Sequence, residues 1–253
     1  MYANYHTHTA LCNHASGDER EYVESAIKAG LKVLGFSDHT PMPFPPSHHS
    51  GYRMRLDQTA GYINKLKALR EEYKRDIDIK IGFEAEYFPA LFDSLLGFLS
   101  AYEYDYLILG QHFNENEYDS EHYNGIPTDN EAILKRFYDQ MLEGFSTGKY
   151  LYIAHPDLLK FNGDKKIYQR HTEAFCRTAA ERDIPLEINM LGIALGRHYP
   201  QESFWDIASH YGCRAIIGCD AHNPRDLENM KVYESTRKIA ELRGIKLIDS
   251  FDI

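Results

Sequence analysis

Short apolar runs alternate with longer amphipathic stretches along the whole chain, and this restricts it to repeated βα units around a parallel sheet. Parallel neighbours need crossover connections, and the amphipathic stretches have the length to supply them. Seven units can be read. Strand one covers about Tyr2 to His6, followed by a helix from Asp18 to Ala29 with Asp18 and Glu21 spaced as a capping box and Gly30 as its stop. Strand two runs from Lys32 to Ser37, and a loop rich in proline, histidine and serine, Pro41 to Arg55, leads to a helix near Asp57 to Tyr73. Strand three is Ile79 to Glu84 with a helix near Ala90 to Ser100, and strand four is Tyr104 to Gly110 with a helix near Asn130 to Phe145. Strand five is Tyr150 to Ala154 with a helix from about Ile167 to Arg182, strand six Leu186 to Asn189 with a helix near Glu202 to Tyr211, and strand seven Arg214 to Cys219 with a helix near Leu227 to Leu242. A last apolar segment, Ile245 to Ile248, is placed to cap or close the sheet.

The C-terminal ends of these strands carry an unusual set of side chains. His6 and His8, His39, Glu84, His112, His155, and Asp220 with His222 fall there, and His14 lies in the first loop. In a parallel barrel such ends converge on one opening. A single histidine at a strand end is more often a hydrogen-bonded rim residue, but six strand ends together point to a metal centre. Residues two apart share a strand face, so His6 and His8 can grip one ion while Thr7 turns away. Asp220-Ala221-His222 repeats that spacing on the strand that becomes the neighbour of strand one on closure. One ion takes three or four protein groups, so nine candidates imply two or three ions and at least one bridging carboxylate. Glu84 is the expected bridge and Glu86, on the same parity, its rival. Imidazole and carboxylate donors without thiolates suit Zn, Mn or Fe.

At 253 residues with 43% hydrophobic content the chain suits one α/β domain spanning 1–253. No segment approaches the roughly 18 uninterrupted apolar residues of a membrane span. The first strand begins too early for a signal peptide, so a cytoplasmic location is expected. Cys12, Cys176, Cys213 and Cys219 form no CxxC pair and read as reduced thiols. A net charge of -10 argues against a nucleic-acid partner and fits a small anionic substrate. Nothing in the sequence bears on oligomeric state.

Taken in order, Tyr5-His6-Thr7-His8-Thr9, Ser37-Asp38-His39, Gly82-Phe83-Glu84, Gly110-Gln111-His112-Phe113, Ala154-His155-Pro156 and Gly218-Cys219-Asp220-Ala221-His222 resemble the polymerase and histidinol phosphatase (PHP) family of metal-dependent phosphoesterases, in particular its histidinol-phosphate phosphatases. The resemblance implies a distorted (β/α)7, TIM-like barrel with three divalent ions. It places the first on His6, His8, Glu84 and Asp220, the second on Glu84, His112 and His155, and the third on His14, His39 and His222. It also marks Glu187-Ile188-Asn189 and Gly196-Arg197-His198 as the phosphate-binding stretch. Lys160 stands where phosphatase relatives tend to carry arginine.

The chemistry expected of such a centre is hydrolysis of a phosphate monoester, most specifically L-histidinol phosphate in histidine biosynthesis. Clustered divalent ions lower the pKa of a bridging water and supply hydroxide for in-line attack. The spread charge on the phosphoryl oxygens calls for cationic side chains, and Arg197, Lys160 and Arg55 are the candidates, with Asn189 beside them. The leaving alcohol must be protonated, by Asp38 or by His198, unless Asp38 instead orients a metal-bound histidine. The loop Pro41 to Arg55, with Phe44, His48, His49, Tyr52 and Arg53, is either a lid over the organic moiety or an irregular surface loop. Other readings of the same scaffold are a phosphoesterase for another small ester or for nucleic acid, and a metal-binding protein without catalysis.

Overall fold

The computed structural model describes residues 1–118 and 123–253. Its frame is a curled parallel sheet. Strands β1 (Ala3–Asn4), β2 (Val33–His39), β3 (Asp78–Glu84) and β4 (Tyr106–Ile108) pair in that order, and β5 (Leu186–Asn189) pairs with β6 (Ala215–Gly218). Every pairing is parallel, as the alternating pattern requires. The crossovers carry helices α1 (Glu19–Lys28), α2 (Thr59–Tyr73), α3 (Phe92–Leu99), α4 (Glu131–Ser146), α5 (Lys165–Glu181), α6 (Met190–Ala194), α7 (Glu202–His210) and α8 (Met230–Arg243).

Four of the strands read from the sequence are shorter here: Tyr104 to Gly110 contracts to Tyr106–Ile108 and Arg214 to Cys219 to Ala215–Gly218, and for the other two a reason is visible. The segment Tyr150 to Ala154 bridges β4 and β5 through Ile153, which pairs with Leu109 on one side and Leu186 on the other. It forms no longer ladder, because the chain turns away at His155, whose φ is 29°. At β1 the ladder stops after Asn4 because a side chain takes over the next carbonyls. The Tyr106 hydroxyl donates to Tyr5 O at 2.7 Å and also reaches Phe36 O at 3.1 Å. Gly35 and Gly82 make room for that ring, since a Cβ on either would lie 2.3 or 2.6 Å from it.

Pairing resumes at the upper end. Ser37 N–H donates to Thr7 O, His8 N–H to Ala221 O and Ala221 N–H to His6 O, so the His6-Thr7-His8 segment sits between β2 and the chain leaving β6. At the lower end Leu247 pairs with Ala215, which places the last apolar segment beside β6. Tyr5, Tyr106, Ile108, Tyr152, Ala154 and Ile216 fill the space inside the curl, with Phe251 stacked on Tyr152 beneath them. The larger apolar core, which includes Leu34, Phe36, Ile79, Ile81, Phe83 and Leu107, packs the sheet against helix faces such as Tyr22, Val23 and Ala26 of α1.

The helix starts follow their caps. Asp18 and Glu21 form the capping box of α1, and Asn130 and Asp164 cap α4 and α5. The expected helix from Leu227 divides in two: Asn223 caps a 3-10 turn over Pro224–Glu228 and Asn229 caps α8 separately. A 3-10 turn at Leu56–Gln58 likewise precedes α2.

Interior glycines of the sheet and exposed glycines of the helices should respond oppositely to a methyl group. A Cβ on Gly218 would lie 1.7 Å from Glu187 Oε1, whereas one on Gly61 in α2 meets nothing within 4 Å. Gly61→Ala is expected to raise stability by about 0.5–1 kcal/mol, and Gly218→Ala to lower it. Urea denaturation of the two variants checks the signs.

Candidate metal centre

Strand parity carries the interior upward from apolar to ionisable. Tyr106 and Ile108 lead on their face to Gly110, and Ile216 leads through Gly218 to Asp220. Glu84 ends β3 on its inward face, close to Gly110, which must lack a side chain because its Cβ would lie 1.9 Å from Glu84 Oε1. The result is a buried carboxylate ringed by imidazoles. From Glu84, His155 Nε2 stands at 2.9 Å, His39 Nδ1 at 3.0 Å, His6 Nε2 and His8 Nε2 at 3.5 Å, and His112 Nε2 at 3.6 Å. Asp220 Oδ1 lies 3.1 Å from His8 Nε2 and 3.4 Å from His6 Nε2.

The titration behaviour of the metal-free side chains reflects this crowding. Burial opposes a charge on His6, but Glu187, Asp220 and Glu84 outweigh it and raise its pKa well above the usual value. His8 is raised to about 9, against burial, by Asp220 and Asp38. Glu84 and Asp220 are held well below the carboxylate range, against burial, by the surrounding histidines. Burial and the neighbouring His8 push His222 down to about 3. His14 is also lowered, chiefly by burial.

The donor set fits divalent cations on three counts. First, Asp38, Glu84, Glu187 and Asp220 are all buried, and none of their contacts is with a lysine or arginine. Second, Glu84 Oε2 and the Nδ1 atoms of His8, His112 and His155 are buried without a hydrogen-bond partner. Third, the tautomers are fixed. His14 Nδ1 lies 2.7 Å from Cys12 O and His222 Nδ1 lies 2.9 Å from Asp220 O. A carbonyl only accepts, so both Nδ1 atoms carry the proton and both Nε2 atoms present lone pairs. Those two Nε2 atoms face each other at 3.0 Å. Two lone pairs at that separation repel unless a cation draws them together, and ligands about 2.1 Å from one ion at a tetrahedral angle lie about 3.4 Å apart. Among the described residues the donor atoms gather into His6, His8 and Glu84, into His6, His155 and Asp220, and into His39, Glu84 and His112, each set within 4.8 Å. Cys12 also lies close to His8 and His222.

The cluster forms the floor of a cleft of about 590 Å³, within the range of small-ligand sites. Tyr52, Phe113 and Tyr123 line one part of it, and Leu158, Leu191, Leu195, Arg197 and Tyr199 another. Arg197 Nη1 donates to the Tyr199 hydroxyl at 2.7 Å. Burial raises the pKa of that hydroxyl, so it keeps its own proton to donate into the cleft.

Other residues read from the sequence as contacting substrate stand elsewhere. Asn189 is buried behind the cluster, its Nδ2 atom donating to Glu187 Oε2 at 3.0 Å and to Asp220 Oδ2 at 3.1 Å. His198 Nε2 is engaged by Leu158 O at 2.8 Å and does not line the cleft. Lys160 is exposed outside it, and Arg55 pairs with Asp57 at 3.0 Å on the surface of its own loop. Asp38 is fully engaged: Oδ2 accepts from Thr9 N and Oγ1, Oδ1 accepts His39 N–H at 2.8 Å, and Oδ1 lies 3.5 Å from His8 Nδ1. That is the geometry of an orienting group.

Glu86 is likewise committed. It pairs with buried Arg53, accepts His112 N–H at 3.2 Å and faces the Tyr52 hydroxyl at 3.4 Å. Arg53 also donates to Thr40 O at 3.0 Å and to Glu117 at 3.1 Å. Its guanidinium thus pins the 41–55 loop to β3 and to the segment after β4, with Tyr52 set edge-on to His39. Tyr199 carries no spacing that marks it from the sequence; Tyr52 and Arg53 stand out there only as members of the 41–55 loop, and Glu187 only through the parity it shares with Asn189 on a strand.

With the geometry in place, comparison with known proteins identifies the family. Residues 4–191 match the PHP domain family, and the chain belongs to it. A probable histidinol-phosphatase of Deinococcus radiodurans is 29% identical over 94% of this chain and 93% of its own. The histidinol-phosphatase of Bacillus subtilis is 24% identical over 88% of this chain and 94% of its own. The fold is similar to that of a histidinol phosphate phosphatase from Lactococcus lactis, determined with zinc, L-histidinol and phosphate, at a TM-score of 0.75 and 19% identity, covering 98% of this chain and 95% of that one. Asp220 and His222 lie beyond the matched span, yet the fold brings them to His8 and His14.

Glu84 and Glu86 should separate cleanly on substitution. Glu84→Gln is expected to lower retained metal with a small effect on folding, because its carboxylate faces only imidazoles. Glu86→Gln is expected to lower stability, by up to about 3 kcal/mol, because it takes a counter-charge from a buried guanidinium. Elemental analysis and urea denaturation distinguish them, and loss of metal in Glu86→Gln alone would reverse the assignment.

Proposed function

We propose that this protein is a metal-dependent phosphoric monoester hydrolase whose substrate is L-histidinol phosphate, released as L-histidinol and phosphate in histidine biosynthesis. The observation that carries the reading is one cleft holding Arg197 above a floor of imidazoles and carboxylates that contact no lysine or arginine among the described residues. Histidinol-phosphatase relatives aligned over nearly the whole chain supply the substrate. The catalytic unit is taken as residues 1–253, in a distorted seven-stranded barrel in which Ile153 marks the fifth strand and Thr7 with Ala221 the closure. A cytoplasmic setting agrees with four buried free cysteines, and no helix among the described residues is long and apolar enough to cross a membrane. The -10 charge favours a small anion over nucleic acid as partner.

The proposed ligands are His6, His8, His14, His39, Glu84, His112, His155, Asp220 and His222, shared among three divalent ions of the Zn, Mn or Fe type with Glu84 as the bridge. Bound there, such ions supply Lewis acidity that activates water at neutral pH and offsets phosphate charge. The side chains do the rest. Arg197 can clasp two phosphoryl oxygens with its planar fork while the Tyr199 hydroxyl donates beside it. Asp38 holds the imidazole of His8 and the backbone of His39 in place. Tyr52, Phe113 and Tyr123 offer flat faces for an organic group, shielding the scissile ester from water.

Steady-state kinetics test substrate and residue together. Arg197→Ala is expected to lower kcat/KM for histidinol phosphate by about one to three powers of ten, since a charge-assisted pair contributes roughly 1.5–3 kcal/mol and more where water is excluded. Metal content should not change. Lys160→Ala and Arg55→Ala should stay close to the parent, because neither side chain borders the cleft. A parent enzyme that prefers an aryl phosphate or single-stranded DNA to histidinol phosphate would overturn the substrate assignment.

A further inference from the structure

Three of the proposed ligands hang from one strand that contributes none itself. Glu187 and Asn189 on β5 are two apart, so both point inward, and both are fully enclosed. Glu187 Oε1 accepts the Nδ1 proton of His6 at 2.8 Å and lies 3.4 Å from the Tyr152 hydroxyl. Its Oε2 accepts His155 N–H at 3.0 Å and Asn189 Nδ2 at 3.0 Å. The Asn189 amide continues to Asp220 Oδ2 at 3.1 Å, while its own Oδ1 accepts Gly192 N–H.

We propose that Glu187 is the positioning residue of the metal centre, acting through His6 and His155 and, by way of Asn189, through Asp220. This rests on the reading of those three residues as ligands. Accepting the Nδ1 proton of His6 leaves Nε2 as the only atom of that ring with a lone pair, aimed at His8, Glu84 and Asp220. The second oxygen holds the backbone of His155, whose φ of 29° is a left-handed conformation that a non-glycine residue adopts only when held. The carboxylate is suited to this because it accepts at both oxygens. A glutamine of the same shape accepts at one, and its NH2 then meets a donor at the other. The missing side chain of Gly218 belongs to the same arrangement, since any Cβ there would displace Glu187. Glu187 does not line the cleft, so its loss should release metal and leave phosphate binding intact.

The test uses the full-length metal-loaded protein as parent, Glu187→Gln, Glu187→Asp and Asn189→Ala, dialysed against graded chelator with retained metal read by elemental analysis. Glu187→Gln is expected to lose half its metal at a chelator concentration roughly ten- to a hundredfold below that of the parent. Glu187→Asp, which keeps both acceptor oxygens, should recover part of the difference. Re-supplied with saturating metal, Glu187→Gln should show a lowered kcat and a KM within about twofold of the parent. A folded Glu187→Gln that holds metal like the parent would overturn the proposal, as would a raised KM with metal unchanged. If Glu187→Gln does not fold, Asn189→Ala decides, because parental metal retention there would show that the strand does not position Asp220. Metal retention needs no substrate, so this result stands whether or not histidinol phosphate is the substrate.

Discussion

Four buried carboxylates gathered around one centre, with no lysine or arginine against them among the described residues, dominate this molecule. Asp38, Glu84, Glu187 and Asp220 stand where water cannot solvate them, and they are held by imidazoles at Glu84 and Glu187, by Thr9 and the His39 backbone at Asp38, and by the Asn189 amide at Asp220. Buried charge on that scale is tolerated only when paired or bound to metal. The surrounding architecture serves that demand. Glycines at 110 and 218 clear space for Glu84 and Glu187, and Tyr5, Tyr106 and Tyr152 fill the layer beneath together with Ile108 and Ile216. Among the described residues the buried guanidinium nearby, Arg53, is taken up by Glu86 and Glu117 and does not pair with these four carboxylates.

The seam is where the fold and the site become one problem. The His6-Thr7-His8 and Asp220-Ala221-His222 segments are bonded to each other through their backbones, so the strand spacing that directs four side chains inward also closes the sheet on itself. Between β4 and β5 the sheet is thin, with the short segment 151–154 bridging the two halves through its backbone. Glu187 spans that gap with side-chain bonds, linking a residue before β2 to one after the bridge.

Much of this was legible in the sequence, and the limits of legibility have physical causes. Strand ends, caps and ligand candidates follow from local periodicity, so Asp18, Asn130 and the nine candidate ligands could be read from neighbours in the chain. Contacts that run perpendicular to the strands could not. Tyr106 ends β1 early by reaching across the interior, and nothing near residue 5 announces a side chain from residue 106. The sequence suggests Asn189 as a substrate contact and His198 as a proton donor, but a strand face and a carbonyl acceptor turn them to other partners. Lys160 and Arg55 show that a basic residue near a site in sequence can still face solvent.

The closing contact between His14 and His222 brings together residues 208 positions apart, and His6 reaches Glu187 across 181. During synthesis from the N-terminus, the first histidines therefore emerge long before their partners exist. A chain interrupted before residue 220 has no Asp220 or His222 and cannot assemble the full donor set, however well its first βα units fold. Binding of the complete complement of ions therefore waits until the chain has extended past residue 222. Metal affinity in such a protein reports on the integrity of the segment from residue 6 to residue 222, because a long-range closure of the fold is also a wall of its metal-binding cavity.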